Sequence, residues 1–101
     1  MTARIFDEAV QAYREAQLEL LKPLGYEVLA KMPRTKRINA PSEFDGLEFR
    51  IERRAGDSGG VRIEVRACSR HLLIFLSCSS SGFEMLSDGS IVKEVGIPLD
   101  D

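Results

Sequence analysis

The first part of the chain has hydrophobic residues at the spacing of a helix. Between residues 3 and 22, apolar side chains recur at intervals of three and four, which on a helix forms one stripe. Charged side chains fall on the opposite face, and Pro23 and Gly25 end the pattern, while Thr2 fits an N-cap. The sequence therefore predicts a helix over about 3–22. Its apolar stripe is Ile5, Phe6, Ala9, Ala12, Tyr13, Ala16 and Leu20, and its charged face is Glu8, Arg14, Glu15 and Glu19.

From Tyr26 the hydrophobic period changes to two, which is typical of a strand. The alternation ends at Pro33, and it sets Tyr26, Val28, Ala30 and Met32 against Glu27, Leu29 and Lys31. Residues 33–46 contain two prolines and an Asp-Gly pair, which favour irregular structure. We therefore predict a first strand over 26–32, followed by a long loop.

Residues 47–54 and 61–68 alternate cleanly between apolar and charged side chains, and the linker AGDSGG between them predicts a hairpin. Pairing Ile51 with Ile63 places opposite charges across the two strands, whereas a shift by two residues places like charges together. The charge pattern therefore predicts that register. The expected cross-strand pairs are Glu48 with Arg66, Arg50 with Glu64, and Glu52 with Arg62.

Residues 71–78 predict a third long strand whose two faces are both apolar. Leu72, Ile74, Leu76 and Cys78 should face the helix, and Leu73 and Phe75 should point the other way. The serines at 79–81 predict a polar turn, and Asp88-Gly89 predicts a hairpin that pairs Leu86 with Ile91 and Glu84 with Lys93.

The fold class that follows is α+β: an N-terminal helix packed on one face of a mainly antiparallel meander sheet of four to six strands. We expect one domain over 1–101, with the sheet at about 26–95 and a short C-terminal tail at 96–101. The residues expected beneath the helix are Leu47, Phe49, Ile51, Val61, Ile63, Val65, Leu72, Ile74 and Leu76.

Composition narrows the function classes. The chain has 101 residues, 44% of them hydrophobic, a net charge of −2 and two cysteines. Two cysteines are too few for a disulfide framework, and the N-terminal region lacks the apolar segment of a signal peptide, so we expect a cytoplasmic protein. The longest apolar run is 72–76, far below the roughly 20 residues of a membrane helix. The charge balance disfavours, without eliminating, a nucleic-acid partner.

The segment with Cys68, His71 and Cys78 invites three chemical interpretations. The predicted strand places Cys78 and His71 on opposite faces, which disfavours a metal site. The predicted hairpin separates Cys68 from Cys78 by ~23 Å, beyond the ~7 Å limit for a disulfide. Cys68 beside His71 could act as a nucleophile, but no acid orients the imidazole and the turn is convex. The sequence contains no cofactor-binding motif.

Two features remain as functional candidates. The leading hypothesis is a non-enzymatic protein-interaction module that docks a protein partner or itself, for example as a homodimer, through an apolar patch on the outer sheet face. Its residues are Leu73, Phe75, Leu86 and Ile91. The alternative is anion or nucleic-acid binding by the basic segment 31–37, joined by Arg53 and Arg54 if these lie at the same end. The residues of that segment are Lys31, Arg34, Lys36 and Arg37.

Overall fold

The sheet is a continuous antiparallel meander with one long helix packed on it. The computed structural model describes residues 8–39, 41–44, 46–70, 76–95 and 98–99. The strands lie in the order β1-β2-β3-β4-β5, β6 pairs with β4, and α1 packs against β3 and β4. This arrangement confirms the predicted α+β class. The elements are α1 (Glu8–Leu21), α2 (Tyr26–Ala30), β1 (Thr35–Ile38), β2 (Leu47–Ala55), β3 (Val61–Arg70), β4 (Leu76–Met85), β5 (Ile91–Val95) and β6 (Pro98–Leu99).

Helix α1 ends where the sequence predicts, but it buries a different face. Leu21 is its last residue, and a 3-10 turn that contains Pro23 leads to Gly25, whose φ is 87°. The buried residues are Val10, Arg14, Leu18 and Leu21. Their four- and three-residue spacings also form a stripe, and its large apolar side chains bury more area than a stripe rich in alanine.

In the described part of the helix, the predicted stripe was therefore wrong except at Tyr13, which is half-buried and packs against Phe44 and Phe49. Ala9, Ala12 and Ala16 are exposed, and Leu20 is 67% exposed. Arg14, predicted to lie on the solvent-exposed face of the helix, is buried. Thr2, Ile5 and Phe6 lie outside the described residues.

The predicted first strand is instead a short helix. In α2, the Leu29 amide donates to the Gly25 carbonyl at 3.1 Å, and the Leu29 side chain is fully buried. Over so few residues, alternation and a single helical turn fit the same apolar pattern, and the positive φ of Gly25 allows the chain to turn back. The first strand lies within the predicted loop, at Thr35–Ile38.

The register of the β2–β3 hairpin also differs from the prediction, by two residues. Ile51 lies opposite Val65 and Phe49 opposite Ala67. Like charges consequently face each other across the strands: Arg50 with Arg66, Glu52 with Glu64, and Arg54 with Arg62. The opposite charges meet diagonally or along one strand, as in Arg66–Glu52 at 3.3 Å and Arg50–Glu48 at 3.2 Å.

The loop that joins β2 to β3 explains this register. The Gly56 amide donates to the Gly60 carbonyl at 2.9 Å, and the Glu84 carboxylate accepts the amides of Ser58 and Gly60 at 2.9 and 3.0 Å. Glu84 is only 1% exposed, so these bonds satisfy a buried carboxylate. Another register would break these bonds. The free-energy cost of an unsatisfied buried carboxylate exceeds the gain from exposed cross-strand ion pairs, each worth ~0.2–1 kcal/mol.

Strand β4, Leu76–Met85, includes the serine run. Cys68 lies opposite Cys78, so the connection between β3 and β4 falls at 71–75. His71, Leu72, Leu73, Ile74 and Phe75 lie outside the described residues. The predicted polar turn at 79–81 was wrong, because these serines are buried strand residues; Ser79 and Ser81 face α1.

The helix-facing side of the sheet carries two apolar clusters. One contains Leu18, Leu21, Leu29, Ile51, Val61, Ile63, Val65, Phe83 and Met85; the other contains Val10, Phe44, Phe49 and Ala67. Of the predicted core, Phe49, Ile51, Val61, Ile63 and Val65 are confirmed as buried, and Leu47 is half-buried. The Leu76 side chain lies outside the description.

The C-terminal strands form the edge beside β4. Glu84 pairs with Lys93 as predicted, but Ile91 pairs with Met85 instead of Leu86, because the register shifts at this point. Asp88 and Gly89, the latter at φ 90°, lie in the turn as predicted, but the loop has three residues instead of two, because the Leu86 amide donates to the Ser90 carbonyl at 2.8 Å. Pro98–Leu99, expected to belong to a tail, pair with Ser79 and Cys78 in the same register as Val95 with Gly82.

Candidate functional site

A groove of about 480 Å³ lies where β1 begins and β2 ends. The pairing of Thr35 with Glu52 and the bond from the Arg53 amide to the Arg34 carbonyl, 3.0 Å long, bring these two ends together. We name this feature the arginine groove. Its lining residues are Arg34, Thr35, Glu52, Arg53, Arg54 and Ala55.

Arg53 and Arg34 contribute guanidinium groups without a carboxylate partner among the described residues. Arg53 Nε donates to the Met32 carbonyl at 2.6 Å, which fixes the orientation of a half-buried side chain. This bond leaves its two terminal nitrogens for a ligand, since no described residue accepts from them. Arg34 is exposed and precedes β1. Both groups therefore present unneutralised positive charge to the groove.

Arg54 has a partner, but a shared one. Its Nη2 lies 3.2 Å from Oε1 of Glu52, and Nη1 of Arg66 lies 3.3 Å from the same oxygen. Three arginines and one glutamate line the groove, so its formal charge is +3 − 1 = +2. The pairing of Glu52 with Arg66, which lies outside the lining, further reduces the negative charge that the groove carries.

Such an arrangement suits the binding of oxyanions. Guanidinium groups donate two parallel hydrogen bonds to phosphate or carboxylate and stay protonated at any physiological pH. The lining offers no thiol or imidazole that could act as a nucleophile or a base. The groove can therefore hold an anion.

The structure divides the predicted basic segment. Arg34 lines the groove, together with Arg53 and Arg54 from β2, while Lys31, Lys36 and Arg37 do not. Lys31 follows α2 and is exposed, and Arg37 forms an ion pair with Glu48 on the outer face, the side of the sheet away from α1.

Glu48 pairs with two arginines, Arg37 and Arg50, on this outer face. Burial raises the pKa of Glu48, but the hydrogen bond and charge of Arg37 and the charge of Arg50 lower it more, so the net shift is downward. Glu48 Oε1 lies 3.2 Å from Arg50 Nη2, and the Glu48 side chain is 15% exposed. This ion-pair network occupies the part of the outer face that β1, β2 and β3 form.

The four residues predicted as an apolar docking patch are not brought together in the described part of the chain. Leu73 and Phe75 lie outside it, and Leu86 is half-buried. Ile91 is 38% exposed, and Val92, which the sequence did not single out, is 46% exposed next to it. The outer face of β2 and β3 is charged rather than apolar.

Cys68 and Cys78 form a disulfide, and their Cα atoms are 4.1 Å apart. The predicted separation of about seven rungs was wrong, because the β3–β4 turn lies further along the chain than expected. Cys78 also faces outward with Cys68, not inward. A disulfide sulfur cannot attack as a thiolate, so the Cys68–His71 nucleophile loses its reactive group.

Residues 8–39, 41–44, 46–70, 76–95 and 98–99 contain no cluster of three side chains suited to hold a metal ion.

A second polar site, missed by the sequence analysis, lies between α1 and β4. Arg14 is 5% exposed and its Nη1 donates to Ser79 Oγ. Arg14 Nε and Ser81 Oγ are buried and lack hydrogen-bond partners among the described residues. Burial lowers the pKa of Arg14, partly offset by Glu15. On the helix, Arg14 lies between Val10 of one apolar cluster and Leu18 of the other, while Ile38 packs against both clusters.

Comparisons with protein-family models, curated proteins and solved structures found no match. Within the described ranges, no helix combines the length and apolar character needed to cross a membrane. The function must therefore be argued from the geometry of the site alone.

Proposed function

We propose that the protein is a non-enzymatic binding module that holds a phosphate-bearing ligand in the arginine groove. The observation that carries this proposal is that Arg34, Arg53 and Arg54 all line one open cavity of about 480 Å³. Cavities of roughly 300–1,000 Å³ are typical of small-molecule sites. Two of the three guanidinium groups have no carboxylate partner in the described part of the chain, which leaves them available to a ligand.

The charge of the ligand follows from the lining. A formal +2 on the groove favours a ligand with two or more negative charges, such as a phosphate ester or a pyrophosphate, over a single carboxylate. Single-stranded nucleic acid is less favoured, because none of the described residues that line the groove is aromatic and could stack with a base. The overall charge of −2 also gives no general attraction to polyanions.

Titration calorimetry with pyrophosphate at low salt tests the proposal. We expect binding that weakens as ionic strength rises and that falls by roughly fivefold in Arg34→Ala, the value for an exposed ion pair of about 1 kcal/mol. Arg37→Ala is the matched control, because it removes the same charge from β1 outside the groove. No heat of binding, or equal losses in both variants, would refute the proposal.

The docking hypothesis stays a second proposal, supported by the exposure of Ile91 and Val92 at an irregularity in the β4–β5 ladder. It predicts self-association or capture of a protein partner through Leu73, Phe75, Leu86 and Ile91. Light scattering after size exclusion tests the first of these outcomes. A monomer at all concentrations, unchanged by Phe75→Glu, would count against self-association. Failure to retain a protein partner in a pull-down would count against the docking of a partner.

The cytoplasmic location is also a proposal. Disulfides are rare in the reducing cytosol of most cells, so the Cys68–Cys78 bond weighs against it. Fractionation of cells, with thiols alkylated at lysis, tests it. A reduced protein in the cytosolic fraction supports the proposal, and an oxidised protein outside it contradicts it.

A further inference from the structure

We infer that Glu52 is a built-in competitor of the anion in the arginine groove, and that Arg66 sets the affinity of the groove by binding Glu52. This inference rests on the proposed function. It assigns roles to two residues that are not the main contacts of the ligand. Glu52 pairs with Arg54 when the groove is empty, and Arg66 pairs with Glu52.

The shared oxygen is the central observation. Oε1 of Glu52 accepts from Arg54 at 3.2 Å and from Arg66 at 3.3 Å. Glu52 holds Arg54 through Nη2, so an anion that binds this nitrogen in the groove competes with Glu52 for it. Glu52 then keeps Arg66 as its partner, so that its charge is not left unpaired.

The exposures of the three side chains indicate which of them moves. The Arg54 side chain is 55% exposed, whereas those of Glu52 and Arg66 are 16% and 23% exposed. A long exposed side chain changes rotamer readily, while the two half-buried side chains are held by the sheet. Arg54 can therefore turn into the groove while Glu52 stays with Arg66.

The charges around Glu52 make Arg66 its main alternative partner. Glu64 lies directly opposite Glu52 on β3, but its Oε2 is bound by Arg62 Nε at 2.5 Å. Arg50, on the same strand and face, pairs with Glu48. Thr35, opposite Glu52 on β1, carries no charge. If Arg66 were absent, Glu52 would therefore hold Arg54 more strongly and the groove would bind anions less well.

A double-variant cycle with pyrophosphate as the probe tests this inference. Glu52→Gln removes the competing charge and keeps the side-chain shape, so the dissociation constant should fall about twofold to fivefold, the effect of one exposed ion pair. Arg66→Met should raise it by a similar factor. In the Glu52→Gln background, Arg66→Met should change it by less than half as much, since the carboxylate through which Arg66 acts is gone.

Matched controls separate this mechanism from general electrostatics. Glu48→Gln removes the same charge from the same face of β2, outside the groove, and should tighten binding by less than half as much as Glu52→Gln. Arg66→Lys keeps the charge and should stay close to wild type. Thermal melting verifies that each variant is folded, and the Glu52→Gln and Arg66→Lys arms decide the question if Arg66→Met unfolds.

The outcomes distinguish the two proposals. Wild-type binding that Arg34→Ala weakens, combined with a Glu52→Gln variant that binds no more tightly, overturns the inference and leaves the proposed function standing. Equal effects of Arg66→Met in both backgrounds overturn it as well, because they indicate a long-range charge effect. No binding to the wild-type protein overturns both.

Discussion

Replacing Cys68 and Cys78 together by alanine should lower the free energy of unfolding by about 2.5 to 3 kcal/mol. The two residues are separated by 10 positions in the sequence and lie directly opposite each other on β3 and β4. Loop-closure entropy for a cross-link of this length is about 9 cal/mol/K, or about 2.7 kcal/mol at 25 °C. Alanine avoids a buried hydroxyl without a partner at the position of Cys78.

The melting temperature gives the most direct readout. For a chain of this size, a loss of this magnitude corresponds to a drop of roughly 10 to 20 °C. Circular dichroism should show the same drop for the wild-type protein in reductant, and reductant should not affect the double variant. Two titratable thiols in the unreduced wild-type protein after unfolding, or a melting temperature that reductant leaves unchanged, would refute the reasoning.

Three further predictions concern stability, and urea unfolding tests each of them. Arg14→Met should leave the free energy of unfolding unchanged or raise it by up to about 1 kcal/mol, because a buried guanidinium without a carboxylate partner in the described chain costs desolvation; a loss above about 2 kcal/mol would show that the charge is paired. Gly56→Ala should lower it by roughly 1–3 kcal/mol, because an added Cβ would lie 2.2 Å from the Glu84 carboxyl carbon; full stability would contradict the close packing of this loop. Glu48→Gln should lower it by ~0.2–1 kcal/mol at pH 7. Because the folded pKa of Glu48 is lowered by its arginine partners, the difference from wild type should shrink as the pH falls below the ordinary glutamate value of about 4.3 and vanish below the folded pKa; a constant difference would contradict this assignment.

Strong, long patterns in the sequence predicted the fold class. The end of α1 at Pro23 and Gly25, and the alternation along β2 and β3, each reflect one local rule of backbone or side-chain geometry. The inward position of Phe49 and Ile51 follows from that alternation alone. These features are predictable because they do not depend on distant parts of the chain.

Features that depend on tertiary contacts were mispredicted. The charge pattern favoured one β2–β3 register, but the buried carboxylate of Glu84, from β4, stabilises the loop of another. The serine run in β4 has the composition of a turn, but these serines are buried strand residues, and Arg14 from α1 donates a hydrogen bond to Ser79. Both errors have one cause: Glu84 lies far in the sequence from the loop that it stabilises, and Arg14 lies far from Ser79.

The site was predictable in kind but not in membership. The composition identifies a basic segment that contains Arg34. The sequence adds Arg53 and Arg54 to this segment only if they lie at the same end of the sheet. Only the pairing of β1 with β2 establishes that these three arginines line one groove, while Arg37 forms an ion pair with Glu48 outside it. That pairing was hidden because β1 lies in a stretch whose prolines and Asp-Gly pair predicted a loop.

The most direct test of the anion-binding account is an NMR titration of the ¹⁵N-labelled protein with pyrophosphate. The account predicts that the largest shift changes fall on the amides of Arg34, Thr35, Arg53 and Arg54 and on the side-chain Nε–H of Arg54. Changes at Lys36 and Arg37 should be smaller. Absence of shift changes, or changes as large at Lys36, Arg37 and Arg50 as at the residues of the groove, would contradict the claim that the arginine groove is the binding site.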